Sequence, residues 1–194
     1  MSREAAIERT TAETSIRLRL DLDGSGVYDI ATGIGFFDHM LSHIARHGRF
    51  DLTIAATGDL HVDDHHTVED VGICLGKAIA DALAEKRGIE RFGTAFVTMD
   101  EALARTVIDL SGRNYFVFLA GFSRDSINGF SLELVNEFFR AVAAEGKMNL
   151  HIALLYGANA HHQVEAIFKS FGRALRAAVE KTGGDEIPST KGVL

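Results

Sequence analysis

His65-His66-Thr67-Val68-Glu69 and His161-His162-Gln163-Val164-Glu165 decide the fold, because the second stretch repeats the first 96 residues later. Each opens a segment whose apolar residues recur at helical spacing; in the first, Val68, Val71, Leu75, Ile79 and Leu83 form one stripe. Residues four apart share a helix face, so His65 converges with Glu69 and His161 with Glu165. His66 and His162 are turned by about 100° toward a different point. Two imidazoles and a carboxylate at a helix start, twice over, form a ligand set for metal ions. Manganese, iron and zinc all accept these donors, and the lack of thiolates argues against a structural zinc site.

Working outward from the two copies, the order of elements also repeats. Ile16–Leu22 alternates as a strand, Asp23-Gly24-Ser25-Gly26 is a turn, and Val27–Ile30 is a returning strand. Ile34–Arg46 has helical spacing and is ended by Gly48, Phe50–Ala55 is a strand, and Thr67–Glu85 is a long helix closing near Gly88. In the second half Ala95–Leu110 is strand material, Tyr115–Ala120 a returning strand, Leu132–Ala144 a helix, Met148–Leu154 a strand and His161–Glu180 a closing helix.

Offsets support duplication. Asp21-Leu22-Asp23-Gly24 meets Asp109-Leu110-Ser111-Gly112 at an offset of 88, which also pairs Glu13 with Glu101 and Arg17 with Arg105. Leu52 and Ile54 meet Leu150 and Ile152 at an offset of 98, which also sets Glu137 against His39. The drift requires about ten extra residues near 121–130 and a loop two residues shorter before the second pair. The reading is an α+β chain of two fused β-β-α-β-α half-domains, packed as a pseudo-dimer in a single domain over 1–194. The pseudo-repeats span about 9–92 and 93–182, with an aperiodic tail over 183–194.

At 194 residues, 46% hydrophobic and 24% charged, the chain has the balance of a soluble globular domain. A net charge of -7 argues against nucleic-acid or anionic-membrane partners. A single cysteine, Cys74, excludes an internal disulfide framework, suits a reducing cytoplasm and falls in an apolar stripe where a buried thiol is expected. No secretory signal pattern and no membrane-length apolar run is read in the sequence.

Three groups of residues carry chemistry. His39 and His43 lie four apart on one helix face and join the metal-ligand candidates, as does Glu137. Asp63 and Asp64 precede His65, with Asp64 expected as helix N-cap. Arg91, Arg113 in a Ser-Gly-Arg turn, and the Pro188-Ser189-Thr190-Lys191-Gly192 tail offer guanidinium, hydroxyl and ammonium groups for an anion. Glu13 and Glu101 are equivalent carboxylates suited to moving protons. On residues alone, a dinuclear-metal hydrolase or phosphatase, or a metal-storage shell, competes with other metal enzymes. A hydrolase releases inorganic phosphate, and a storage shell has no use for Arg113.

Phe36-Phe37-Asp38-His39-Met40-Leu41, Asp64-His65-His66-Thr67-Val68-Glu69-Asp70, Met99-Asp100-Glu101-Ala102, Asp109-Leu110-Ser111-Gly112-Arg113, His161-His162 with Glu165, and Ser189-Thr190-Lys191-Gly192 together resemble the imidazoleglycerol-phosphate dehydratases of histidine biosynthesis. The resemblance runs in order from about Arg9 to Leu194. It implies two half-domains, each a four-stranded sheet with two helices, of the ribosomal protein S5 domain 2-like kind. It also implies a cytoplasmic homo-oligomer of 24 subunits built from trimers, with active sites at subunit interfaces and two Mn(II) ions per site.

Carried over by position, the implied metal ligands are His39, His65, His66, Glu69, Glu137, His161, His162 and Glu165. The family position matching Glu137 is often histidine, and His43 stands where many members have glutamine near the substrate. Phosphate falls to Arg91, Arg113, Ser189 and Lys191 with Lys169 nearby, substrate contact to His43 and Glu13, and catalysis to Glu13, Glu165 and His65. The implied reaction removes water from D-erythro-1-(imidazol-4-yl)glycerol 3-phosphate to give 3-(imidazol-4-yl)-2-oxopropyl phosphate. It runs through a Mn(II)-bound imidazolate that expels the neighbouring hydroxyl as a diazafulvene.

Overall fold

A computed structural model describes residues 3–194. The first half runs β1 (Glu4–Thr10), β2 (Thr14–Asp21), β3 (Tyr28–Ala31), α1 (Gly35–Gly48), β4 (Asp51–Gly58) and α2 (His65–Leu83). The second runs β5 (Phe92–Met99), β6 (Ala102–Asp109), β7 (Tyr115–Leu119), a small hairpin of β8 (Ser126–Ile127) and β9 (Phe130–Ser131), α3 (Leu134–Glu145), β10 (Asn149–Tyr156) and α4 (Ala160–Ala178). Each half builds a four-stranded sheet, in the orders β1-β2-β4-β3 and β5-β6-β10-β7. In both, the last strand joins the second antiparallel and the third parallel. The outer strand of each sheet, β1 or β5, hairpins onto its neighbour, with Arg9 opposite Ile16 and Val97 opposite Ala104 in equivalent register.

Strict alternation builds these sheets. Ile16, Leu18 and Leu20 of β2 point inward and are buried, while the residues between them face out. The four helices form the layer between the sheets, with α1 against α4 and α2 against α3. Glycine sets how closely those pairs approach. A Cβ on Gly172 would stand 2.9 Å from the Ile44 carbonyl of α1, and one on the equivalent Gly76 would stand 2.7 Å from the Val142 carbonyl of α3. Phenylalanines fill the layer across the halves: Phe37 meets Phe138 edge-on at 5.3 Å, and Phe138 stacks on Phe168 at 5.4 Å.

The extra residues anticipated near 121–130 form the β8–β9 hairpin, turned by Asn128 and Gly129 at φ 49° and 85°. Two local expectations differ from the structure. Helix α1 includes Gly48 and is closed by Arg49 at φ 54°, because Gly48 is needed for packing: a Cβ there would meet the Phe50 ring at 2.3 Å. Asp64 occupies the N-cap position of α2 without a side-chain cap, and the N–H of His65 donates instead to Asp63 at 2.8 Å. The equivalent residue Asn159 does the same at α4, accepting from the N–H of His161 at 2.9 Å.

Candidate metal and substrate site

The close pairing of α1 with α4 brings a chain of polar groups to one point. His39 and His43 come from α1, four residues apart; His161, Glu165 and Lys169 come from α4 at the same spacing. Three imidazole nitrogens converge on Oε2 of Glu165: His161 Nε2 at 3.1 Å, His43 Nε2 at 3.3 Å and His39 Nε2 at 3.4 Å. Glu165 is buried, and Lys169 donates to its other oxygen. Burial opposes the Glu165 charge, but the Lys169 hydrogen bond and the adjacent cations hold its carboxyl down at about 2. Burial, offset only in part by the Glu165 charge, lowers His43 to about 4, so its ring is neutral with a lone pair to offer. Potential ligand atoms of His39, His43 and Glu165 lie within 4.8 Å of one another. Imidazole nitrogens around a carboxylate, without thiolate, suit a divalent cation of the manganese–iron–zinc group.

The second cluster is the pseudo-symmetric counterpart between α2 and α3. His65 Nε2 lies 4.0 Å from Glu69 Oε2, and Glu137 stands in the place of His39. Arg140 reaches both carboxylates, with Nη2 at 3.0 Å from Glu69 and Nε at 2.9 Å from Glu137. Imidazole with two carboxylates is again a competent donor set for a divalent ion, with Arg140 in the neutralising role that Lys169 has in the first cluster. Sequence reasoning passed over Arg140, although its position three residues after Glu137 on a helix was a readable signal.

His66 and His162 belong to neither cluster. Their rings are turned from those of His65 and His161 by 80° and 87°. His66 Nδ1 is held by Asp59 at 3.0 Å and its Nε2 lies 3.8 Å from Glu13; His162 Nδ1 is held by Glu101 at 2.7 Å. Those carboxylate bonds raise both imidazole pKa values. A carboxylate on Nδ1 is the arrangement found around metal-bound histidines, and here each Nε2 faces a more distant carboxylate, Glu13 for His66 and Asp100 for His162, both at 3.8 Å. Asp59 was readable only as part of a histidine- and aspartate-rich loop.

The anion candidates lie elsewhere. Arg91 is fastened to Asp109 at 2.7 Å and to the Pro188 carbonyl at 2.8 Å, and its own N–H donates to the Ala178 carbonyl at the end of α4. The tail ends against the Ser111-Gly112-Arg113 turn, where a Cβ on Gly112 would stand 2.6 Å from Leu194. Arg91, and the tail at Pro188 that it holds, therefore lie at the end of α4 opposite to His161, a separation on the order of 25 Å at the helix rise per residue. Lys169 pairs with Glu165 on α4.

Fold and clusters define a duplicated α+β enzyme whose working groups are imidazoles and carboxylates on paired helices. The family model for imidazoleglycerol-phosphate dehydratase matches residues 32–175. The imidazoleglycerol-phosphate dehydratase of Granulibacter bethesdensis is 58% identical over 196 residues and all of both chains, and that of Hydrogenovibrio crunogenus is 56% identical over 99% of this chain and 100% of its own. The crystal structure of the Staphylococcus aureus enzyme matches with a TM-score of 0.84 and 40% identity over 92% of this chain and 99% of that one. The Pyrococcus furiosus enzyme matches with a TM-score of 0.84 and 38% identity over 97% and 100%. The chain belongs to the imidazoleglycerol-phosphate dehydratase family, hydro-lyases of histidine biosynthesis.

Proposed function

We propose that this chain dehydrates D-erythro-1-(imidazol-4-yl)glycerol 3-phosphate to 3-(imidazol-4-yl)-2-oxopropyl phosphate with two Mn(II) ions per site, in a homo-oligomer whose active sites form between subunits. The observation that carries the reading is the convergence of His39, His43 and His161 on the buried Glu165, duplicated in type by His65, Glu69 and Glu137. These residues would hold the ions, with His66 and His162 completing the coordination from a neighbouring subunit. Bound Mn(II) supplies Lewis acidity toward the two ring nitrogens, favouring loss of the ring proton.

The chain's own groups handle the rest. The Glu13 carboxylate, exposed and 3.8 Å from His66 Nε2, takes the proton leaving the substrate and returns one when the enol becomes the ketone. The electron-rich ring expels the hydroxyl, which leaves as water with the proton lost from the ring nitrogen; the carbon proton goes to Glu13, and the enol O–H proton returns to the ring as Glu13 protonates carbon. Glu165 and His65 orient the ring, His43 lines the substrate side, and Arg91, Arg113, Ser189 and Lys191 hold the phosphate, with Lys169 contributing positive charge nearby. A substrate of this size does not bridge about 25 Å, which supports the reading that the anion clamp serving a given cluster comes from another copy of the chain.

Assembly is supported by the outer face of the second sheet, where Phe92, Phe96, Tyr115 and Leu119 are all more than half exposed. The oligomer we propose is a 24-mer built from trimers, cytoplasmic, with no nucleic-acid or membrane partner. No helix among the described residues is long and apolar enough to cross a membrane, and the single thiol is buried. The test is turnover of imidazole-glycerol phosphate by metal-stripped protein with and without added Mn(II). Ketone formation restored by Mn(II), with no release of inorganic phosphate, is the expected result. Metal-independent turnover would overturn the cofactor assignment, and phosphate release would favour a hydrolase.

A further inference from the structure

Because the two halves share topology and register, each position in one has an equivalent in the other, and the two equivalent glutamates are used differently. Glu101 is fully engaged: Oε1 accepts from the N–H groups of Ala158 and Asn159 at 3.0 and 2.7 Å, and Oε2 holds His162 Nδ1 at 2.7 Å. Glu13 stands on the same turn of the first half. There the ring of His66 is oriented by Asp59, whose equivalent in the second half is Ala158: Gly58 and Gly157 correspond, since a Cβ on the first would meet Thr14 and Thr67 and one on the second their equivalents Ala102 and Gln163. Glu13 is left with a carboxylate 53% exposed, facing His66 Nε2.

A free carboxylate on a hairpin turn is placed only as well as the turn itself. Thr11 Oγ1 accepts from the N–H groups of Glu13 and Thr14 at 3.1 and 3.0 Å, and the Asp59 N–H donates to the Glu13 carbonyl at 3.1 Å. The turn is then tied to α2: Thr14 Oγ1 donates to Asp70 Oδ2 at 2.6 Å, and Asp70 Oδ1 is paired with Arg9 of β1 at 2.9 Å. Thr14 and Asp70 are 4% and 6% exposed.

The equivalents of Arg9, Thr14 and Asp70 are Val97, Ala102 and Ala166, and both alanines are wholly buried. The same architecture thus closes without any of the three polar groups. Burying the Asp70 carboxylate against a half-buried arginine is costly, and Arg9 Nε is buried with no partner, which adds to the cost. That cost is borne only in the half whose glutamate is free.

We propose that Arg9, Asp70 and Thr14 form a brace that positions the Glu13 carboxylate against the substrate, with Asp59 relieving Glu13 of orienting His66. They are positioning residues acting through Glu13, and the proposal rests on the reading that Glu13 moves the substrate's protons. The experiment compares Thr14→Val, Thr14→Ser and Glu13→Gln in the manganese-loaded oligomer, reading kcat, KM, bound Mn(II) and Tm. Thr14→Val is expected to lower kcat at least about tenfold, with KM within about twofold and Mn(II) content unchanged, and Thr14→Ser to restore kcat to within about threefold. If Glu13→Gln retains kcat, Glu13 moves no protons and both readings fall. If Glu13→Gln loses activity while Thr14→Val keeps it, the brace alone is overturned. A loss of kcat by Thr14→Val that travels with KM, Mn(II) content and Tm also overturns it, since that marks a structural role. Should Thr14→Val not fold, the Arg9→Val, Thr14→Ala, Asp70→Ala triple variant, which copies the second half, replaces it. Lowered kcat at unchanged KM and Mn(II) content supports the brace, and any other outcome overturns it.

Discussion

Glu165 receives three imidazoles and an ammonium at one buried carboxylate, and that crowding sets how the metal-free protein responds to acid. His43 titrates near 4 in the fold against 6.5 in an unfolded chain, chiefly through burial, so between those values the unfolded state binds more protons and stability falls as pH falls. Glu165 is held at about 2 against an ordinary 4.5, so its contribution is present above 4.5 and is lost as pH drops toward 2. Both act in the same direction. In thermal melts of metal-stripped protein, His43 and Glu165 should therefore pull Tm down below pH 6.5, against His66 and His162, whose raised pKa values stabilise the fold at low pH and cease to as pH rises above 6.5. His43→Gln should flatten the decline between pH 6.5 and 4, and an unchanged slope in that variant would refute the His43 assignment. At the second cluster, Arg140 is shared by Glu69 and Glu137. Arg140→Met removes a cation that competes with metal for those carboxylates, so Mn(II) should bind there at least severalfold more tightly by titration calorimetry in the variant.

Helix pairing turns separate sequence motifs into clusters. Gly172 lets α1 approach α4 and Gly76 lets α2 approach α3, bringing His39 and His43 onto Glu165 and Glu137 alongside Glu69. Gly172→Ala places a Cβ against the Ile44 carbonyl, and forcing a methyl into such packing costs about 1–3 kcal/mol. The expected outcome is a lowered Tm together with weaker Mn(II) binding at the His39–Glu165 cluster. Cys74 of α2 tests burial in the same layer. Its thiol is pushed up to about 11 by burial, so it should resist a thiol reagent at pH 8 in the folded state and react at once when unfolded.

Much of this level was legible in the sequence, because HHxxE spacing, alternating strands and the 88- and 96-residue offsets are local patterns. What was not legible depends on elements meeting. Arg140 spans α2 and α3, Lys169 pairs with the buried Glu165, and Gly48 serves packing while Arg49 takes the left-handed position. Asp59 holds His66 while Glu101 holds His162 because Ala158, the equivalent of Asp59, carries no carboxylate, a difference that depends on how the paired strands bring the two turns into register.

At the scale of the whole molecule, one chain holds every group the chemistry needs but not in one place. The His161–Glu165 cluster opens one end of α4, while Arg91 and the tail at Pro188 close the other. His66 and His162 stand apart from the two clusters with Nε2 facing Glu13 and Asp100 at 3.8 Å, and the second sheet exposes an apolar face that assembly would cover. Duplication supplies two similar clusters, and in the proposed oligomer each would meet an anion clamp carried by another copy of the chain. Subunit mixing tests this most directly. His161→Ala removes the cluster and Arg113→Ala removes the clamp, so each homo-oligomer alone should be nearly inactive. Co-assembled from the two variants, mixed oligomers should regain a substantial fraction of wild-type dehydratase activity, because some interfaces combine an intact cluster with an intact clamp. Mixed oligomers no more active than either parent would contradict a site shared between subunits.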